Sequence, residues 1–135
     1  MPTEDQKKDT DRLERYIVRE SLISIMNNTK WKELRNLILN NFSFSPKYRV
    51  KCLRQPGANE CYWETDWQHH LPSPYKVIEW VDIDPIQYHH LGGLVDDIRE
   101  DKTEELSCLL RAKSIPFEVE GIYLRIYGYR RSPAA

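Results

Sequence analysis

The chain has 135 residues, enough for one domain with its own core and no need of metal or disulfide staples. Hydrophobic residues make up 40% and charged residues 30%, with 4 Trp and 8 Tyr, a composition that excludes a disordered chain. A net charge of -1 excludes any global electrostatic drive toward nucleic acid or an anionic membrane.

The three cysteines, Cys52, Cys61 and Cys108, show no CxxC spacing and are odd in number. That pattern fits reduced thiols in a cytoplasm better than a secreted disulfide scaffold. The charged segment from Met1 to Arg15 has no apolar signal-peptide region, and no apolar run approaches the roughly 20 residues of a membrane span. A cytoplasmic protein without a membrane segment is the expectation.

In chain order, residues 1–9 are polar and read as frayed. Leu13, Tyr16, Ile17, Leu22, Ile23 and Met26 suggest a first helix from Asp11. After a break at Asn27-Asn28-Thr29, Trp31, Leu34, Leu37, Ile38 and Phe42 recur at helical spacing, with Asn or Thr placed to cap them. Pro46 ends the helical stretch.

Period-two alternation follows. Tyr48, Val50 and Cys52 share one face, and Arg49 and Lys51 the other. Pro56-Gly57 has turn composition, and Cys61, Trp63, Thr65 and Trp67 alternate with polar residues, which predicts a hairpin of residues 48–52 with 61–67. Tyr75 to Ile83 reads as a third strand in mid-sheet, beside 61–67, with Glu79 an exception to its apolar side. Residues 86–93 read as a loop, and Leu94, Val95 and Ile98 as the start of a helical pattern. Asp101 with Glu104 matches a capping pattern before Leu106, Leu109 and Leu110. Phe117 to Ile126 supplies one or two strands with Gly121 between them, and the end from Arg130 reads as loose.

The predicted fold is therefore α+β: an antiparallel sheet of about four or five strands, with helices at both ends packed on one face. The predicted organisation is a helical extension, 1–25, and a single α+β domain, 26–131.

Met26-Asn27-Asn28-Thr29-Lys30-Trp31-Lys32-Glu33-Leu34, Ile78-Glu79-Trp80-Val81-Asp82-Ile83, Ile115-Pro116-Phe117-Glu118 and Ile126-Tyr127-Gly128-Tyr129 carry a resemblance. Together they are similar to a family of small, functionally uncharacterised bacterial proteins, over residues 26–129. The resemblance implies no catalytic residues, and it implies that the common core starts at Met26, with residues 1–25 dispensable for its folding.

Several constellations invite chemistry. His69-His70 and His89-His90, with Cys61, Asp82 and Asp84, offer zinc-ligand types, but no HxH, HxxxH or CxxC spacing exists, so no metal and no cofactor are expected. Asp82 and Asp84, two residues apart on one strand, could form a dyad, yet no nucleophile or phosphate loop accompanies them. The cysteines sit at core-like positions, Cys108 between leucines. Lys47, Arg49, Lys51 and Arg54, with Arg125, Arg130 and Arg131, form basic stripes interleaved by tyrosines, a composition seen in single-strand nucleic-acid platforms.

Large rings at both faces of the sheet, including Tyr62, Trp80 and Tyr123 opposite Trp63 and Trp67, point instead to a protein interface. The reading is a non-enzymatic protein-interaction module, of the kind that bacterial immunity proteins and antitoxins represent, binding another protein such as a basic toxin domain. Its expected contact residues are Glu64, Asp66, Trp67, Asp82 and Asp84. The alternatives are a metal-dependent enzyme built on Asp82, Asp84 and the histidine loops, and a nucleic-acid binder, which the net charge disfavours.

Overall fold

A computed structural model describes residues 3–54 and 61–132 of the chain, so the expected turn at Pro56-Gly57 lies outside the described residues. The fold is α+β. Helix α1 spans Glu4–Arg19, with Glu4 and Asp5 in its first turn and Arg19 in its last, each sign complementing the helix dipole. It stops short of the predicted limit because Ser21 takes a left-handed φ of 54°, and Leu22–Ser24 then forms a strand, β1.

Helix α2 (Asn28–Asn40) opens where expected. The Asn27 side chain accepts a hydrogen bond from the Lys30 N–H at 2.8 Å, and Trp31, Leu34, Leu37 and Ile38 form the buried stripe.

Strands β2 (Tyr48–Cys52) and β3 (Ile78–Ile83) lead into a short ribbon, β4 (Ile86–His89) with β5 (Ile98–Asp101). Residues 86–101 thus form a hairpin where the sequence suggested a loop and a helical start. Gly92 and Gly93 take φ of +75° and +61° at its tip, and Leu94 and Val95 stay exposed, so their helical spacing has no core to bury into.

Helix α3 (Thr103–Ala112) follows, its first turn held by the Asp101 carboxylate, which accepts from the Thr103 N–H at 2.9 Å. Strands β6 (Glu118–Glu120) and β7 (Tyr123–Tyr127) flank Gly121, and β8 (Tyr129–Arg131) pairs with β1. The end of the chain, expected to be loose, is therefore ordered through Arg131.

The main sheet has the order β2-β3-β7-β6, antiparallel throughout. β3 is interior, as the sequence implied, but its neighbours are β2 and β7. Residues 61–67 are not a strand beside it: a single bridge between Glu64 and Tyr48 is all that remains of that half of the predicted hairpin. The Asp66 carboxylate accepts from the backbone N–H groups of Gln68 and His69, at 3.0 and 2.9 Å, and this local turn competes with the extended ladder.

Glu79 explains itself in the register. Lys51 pairs with Trp80 and Cys52 with Ile78, so Glu79 is the extra residue of a bulge, and Ile78 swings into the core.

Tyr48, Val50, Val81, Ile83, Leu124 and Ile126 face one apolar cluster, which the stripes of α2 and of α3 (Leu106, Leu110) complete. A smaller cluster joins α1 to the sheet end: Leu13 packs with Leu53 and Tyr129, flanked by Tyr16, Ile17, Leu22 and Val77. Between the clusters, the Ile25 N–H donates to the Gly128 carbonyl at 2.8 Å, and the Gly128 N–H donates to Glu79 at 2.7 Å. A Cβ at Gly128 would lie 2.2 Å from the Ile78 carbonyl oxygen, so only glycine allows this approach. Among the described residues no helix is long and apolar enough to cross a membrane.

Candidate functional site

The second face of the main sheet follows from the same alternation. Pairing sets Arg49 opposite Asp82 and Asp82 opposite Arg125, at the centre of β2, β3 and β7. Asp82 is fully buried, and its carboxylate is shared: Arg125 donates through Nε to Oδ1 at 2.7 Å and through Nη2 to Oδ2 at 3.0 Å, while Arg49 donates through Nε to Oδ2 at 3.1 Å. The fork-on-carboxylate geometry fixes the Arg125 guanidinium plane, and Arg49 is tied through its single Nε bond. The hydrogen bonds that it donates to Asp82, above all, hold the Arg125 guanidinium still further from deprotonation.

Aromatic rings fill the spaces beside these cations. Arg49 lies 4.8 Å from the Trp63 ring centre and 5.2 Å from that of Tyr123, and the two rings are themselves 5.0 Å apart. Arg125 sits 4.0 Å over Trp80, and Arg130, which pairs with Glu118, sits 4.2 Å over Tyr127. The result is a ladder of rings and guanidiniums across the sheet. Each contact of this kind contributes on the order of 0.5–2 kcal/mol, more as water is excluded. Tyr123, Arg125 and Tyr127 are half-buried, alternating with fully buried Leu124 and Ile126. Trp80, Tyr123 and Tyr127 belong to neither apolar cluster. Trp80 is therefore roofed by cations.

The five residues the sequence proposed as a contact surface separate in space. Trp67 is 1% exposed: its Nε1–H donates to the Pro46 carbonyl at 2.9 Å and its ring lies 4.2 Å from that of Tyr48, so it is core and cannot serve as an exposed anchor. Asp82 is sealed under its two arginines. Asp84 is 4% exposed and lies just beyond β3, where it accepts from the Ile86 N–H at 3.0 Å and the Tyr88 hydroxyl at 3.1 Å, with Lys47 at 3.9 Å. Asp82 and Asp84 thus serve different partners and form no dyad. Glu64 and Asp66 keep exposed carboxylates, 3.0 and 3.3 Å from the imidazoles of His70 and His69 respectively.

The histidine pairs do not combine. His89 and His90 face Glu100 and Asp97 across their own ribbon, at 2.8 and 2.9 Å. Among the described residues no group of three histidine, cysteine or acidic side chains could hold a metal ion. Burial, followed by nearby Cys61, raises the Cys52 thiol above its ordinary value, away from reactive thiolate. Cys108 is exposed, not core, with its thiol 3.6 Å from Glu104.

The two basic stripes do meet, through Arg49 and Arg125. What sequence reasoning missed is the acid between them. The signal was present: an Asp within a mid-sheet strand, on the same side as Trp80, needs cationic neighbours, and both flanking strands carry an Arg.

The chain belongs to a family of unknown function, DUF6678, whose model matches residues 13–133. That match agrees with the resemblance to an uncharacterised family. It begins inside α1, thirteen residues before the start at Met26 that the resemblance implied, and it takes in both β1 and β8. No curated protein and no solved structure matches the chain.

Proposed function

We propose that this protein is a non-enzymatic interaction module, and that it meets another protein through the arginine–aromatic face of β2, β3 and β7. The observation that carries the reading is the ladder itself: Trp63, Tyr123, Arg49, Trp80, Arg125 and Tyr127 held in contact around one buried carboxylate. Trp, Tyr and Arg dominate the energetic centres of protein interfaces, where rigid side chains lose little entropy on binding. Here the arginines are fixed before any partner arrives. Because Asp82 already occupies their guanidiniums, they are poorly placed to take up a phosphate backbone, which favours a protein over a nucleic acid.

An immunity- or antitoxin-type role in a cytoplasm is the specific form we favour. Glu64, next to Trp63 in sequence, and Asp66 keep exposed carboxylates at the rim, where acidic groups steer a basic partner such as a toxin nuclease.

The test is affinity capture with the wild-type chain and with Trp63→Ala and Tyr123→Ala, followed by calorimetry on the protein retained. A genuine partner should bind stoichiometrically, and each truncation should weaken it by about 30-fold or more, the scale of an interface hot spot. Equal affinity for the wild type and both variants would place the interface elsewhere.

A further inference from the structure

Helix α1 is sorted by charge around its axis. Leu13, Tyr16 and Ile17 face the sheet, and Arg12, Arg15 and Arg19 share one flank at i, i+3 and i+7, with Asp11 and Glu14 on the outer side of Arg15. Arg54, at the end of β2, turns toward that flank, and the four arginines with Tyr16 line a cavity of about 180 Å³. Arg54 holds a left-handed φ of 72°, a conformation unfavourable for an arginine. Among the described residues two carboxylates pair with these cations: Asp9 stands 4.0 Å from Arg12, and Glu20, which also pairs with Arg131 at 3.1 Å, stands 3.6 Å from Arg19. Arg15 and Arg54 have no ion pair among the described residues. Among the described residues four guanidiniums and no carboxylate line this concavity, in a chain whose net charge is -1.

We infer that this cavity is a binding site for a small solute bearing two adjacent phosphate groups. Like charges gathered around a concavity repel one another until an anion enters, and the planar guanidinium fork matches phosphate oxygens two at a time. A diphosphate presents two adjacent sets of oxygens to the four guanidiniums, and the cavity's size suits it. A nucleic-acid strand would instead need cations continuing along the surface, whereas this flank is bounded by Asp11 and Glu14 on the same helix. The site is separate from the arginine–aromatic face, so it stands or falls independently of the interface proposed above.

Isothermal titration with sodium pyrophosphate at low salt tests it, with ADP, sodium sulfate at matched ionic strength and a 12-nucleotide single strand as the other titrants. One pyrophosphate should bind per chain, sulfate at least tenfold more weakly. Arg15→Gln/Arg54→Gln should weaken pyrophosphate at least tenfold, and Lys32→Gln, on α2, should leave it unchanged. ADP matching pyrophosphate would assign recognition to the phosphates alone, and ADP binding more tightly would assign a nucleoside as well. Both support the site. Should the double variant melt early, Arg12→Gln carries the same comparison. Absence of pyrophosphate binding up to millimolar concentration, equal binding by the arginine variants, or tighter binding of the oligonucleotide would overturn the inference.

Discussion

On one face of β2, β3 and β7, Tyr48, Val50, Val81, Ile83, Leu124 and Ile126 meet the apolar stripes of α2 and α3. On the other, Arg49, Trp80, Asp82, Arg125 and Tyr127 meet one another. The strands are the same and only the parity of the residue differs. Hydrocarbon packing tolerates many sequences of similar volume, since dispersion and the hydrophobic effect are not directional. The ionic face depends on geometry, because a carboxylate buried between two guanidiniums is stable only while both remain. Covering a face with helices and finishing it with cations and rings are thus two ways to keep water off a sheet, and the second is the face through which we propose that a partner binds.

The largest expected effect breaks that second face. Asp82→Ala leaves two partly buried guanidiniums without their counter-charge and should cost about 3–5 kcal/mol, seen as a drop in urea midpoint at unchanged m. The informative comparison is the triple variant Asp82→Leu/Arg49→Met/Arg125→Met. Replacing a buried ionic cluster with apolar residues of similar volume is often neutral, or stabilising by about 1–4 kcal/mol. We expect the triple variant to melt at or above the wild type while losing partner binding. A triple variant as unstable as Asp82→Ala would show that this face is needed for the fold itself.

How much of this contrast was legible in the sequence depends on how far apart the determinants lie along the chain. The α2 stripe could be read because its period is local and Asn27 supplies the cap three residues before Lys30. β3 could be read as interior because large apolar residues stand on both sides, Val81 and Ile83 on one and Trp80 on the other. The segment 61–67 misled because its alternation is genuine, yet the Asp66 carboxylate ties up the backbone of residues 68 and 69 and turns Trp67 inward. The 86–101 ribbon misled because it covers no core, so nothing imposes a burial period on it. The site was hidden for a further reason. Asp82 is 33 residues from Arg49 and 43 from Arg125, and only the register across three strands unites them.

A smaller effect separates the two apolar clusters. Deleting residues 1–25 removes Leu13 from Leu53 and Tyr129 and strips β1 from β8, but it leaves the α2–α3 cluster intact. The remaining chain should still melt cooperatively, at a lower midpoint. Loss of the Leu13 contacts alone costs about 2 kcal/mol, the low end for a buried leucine. A truncated chain without a cooperative transition would show that the smaller cluster closes the larger.

The smallest expected effect lies at the rim, where Glu64 and Asp66 are half-exposed and the His70 imidazole titrates. Hydrogen bonding to Glu64, at 3.0 Å, is the chief reason that the His70 imidazolium is held above its ordinary value of 6.5. A group whose pKa is raised by folding stabilises the fold while both states are protonated, so this contribution is complete below about 6.5 and is lost as pH rises through the folded value. Asp66 behaves oppositely: the His69 backbone N–H, first among several causes, lowers its carboxyl, so its contribution holds above its ordinary value of 3.8 and fades only in acid. Between those limits His70 is the group that changes. Glu64→Gln should therefore melt below the wild type at a pH of about 5.5, and the gap should close by a pH of about 8.5. Because both side chains are largely solvated, the gap should also shrink in 0.5 M salt. A gap that is the same at both pH values would mean that the Glu64 side chain acts through packing and not through its charge.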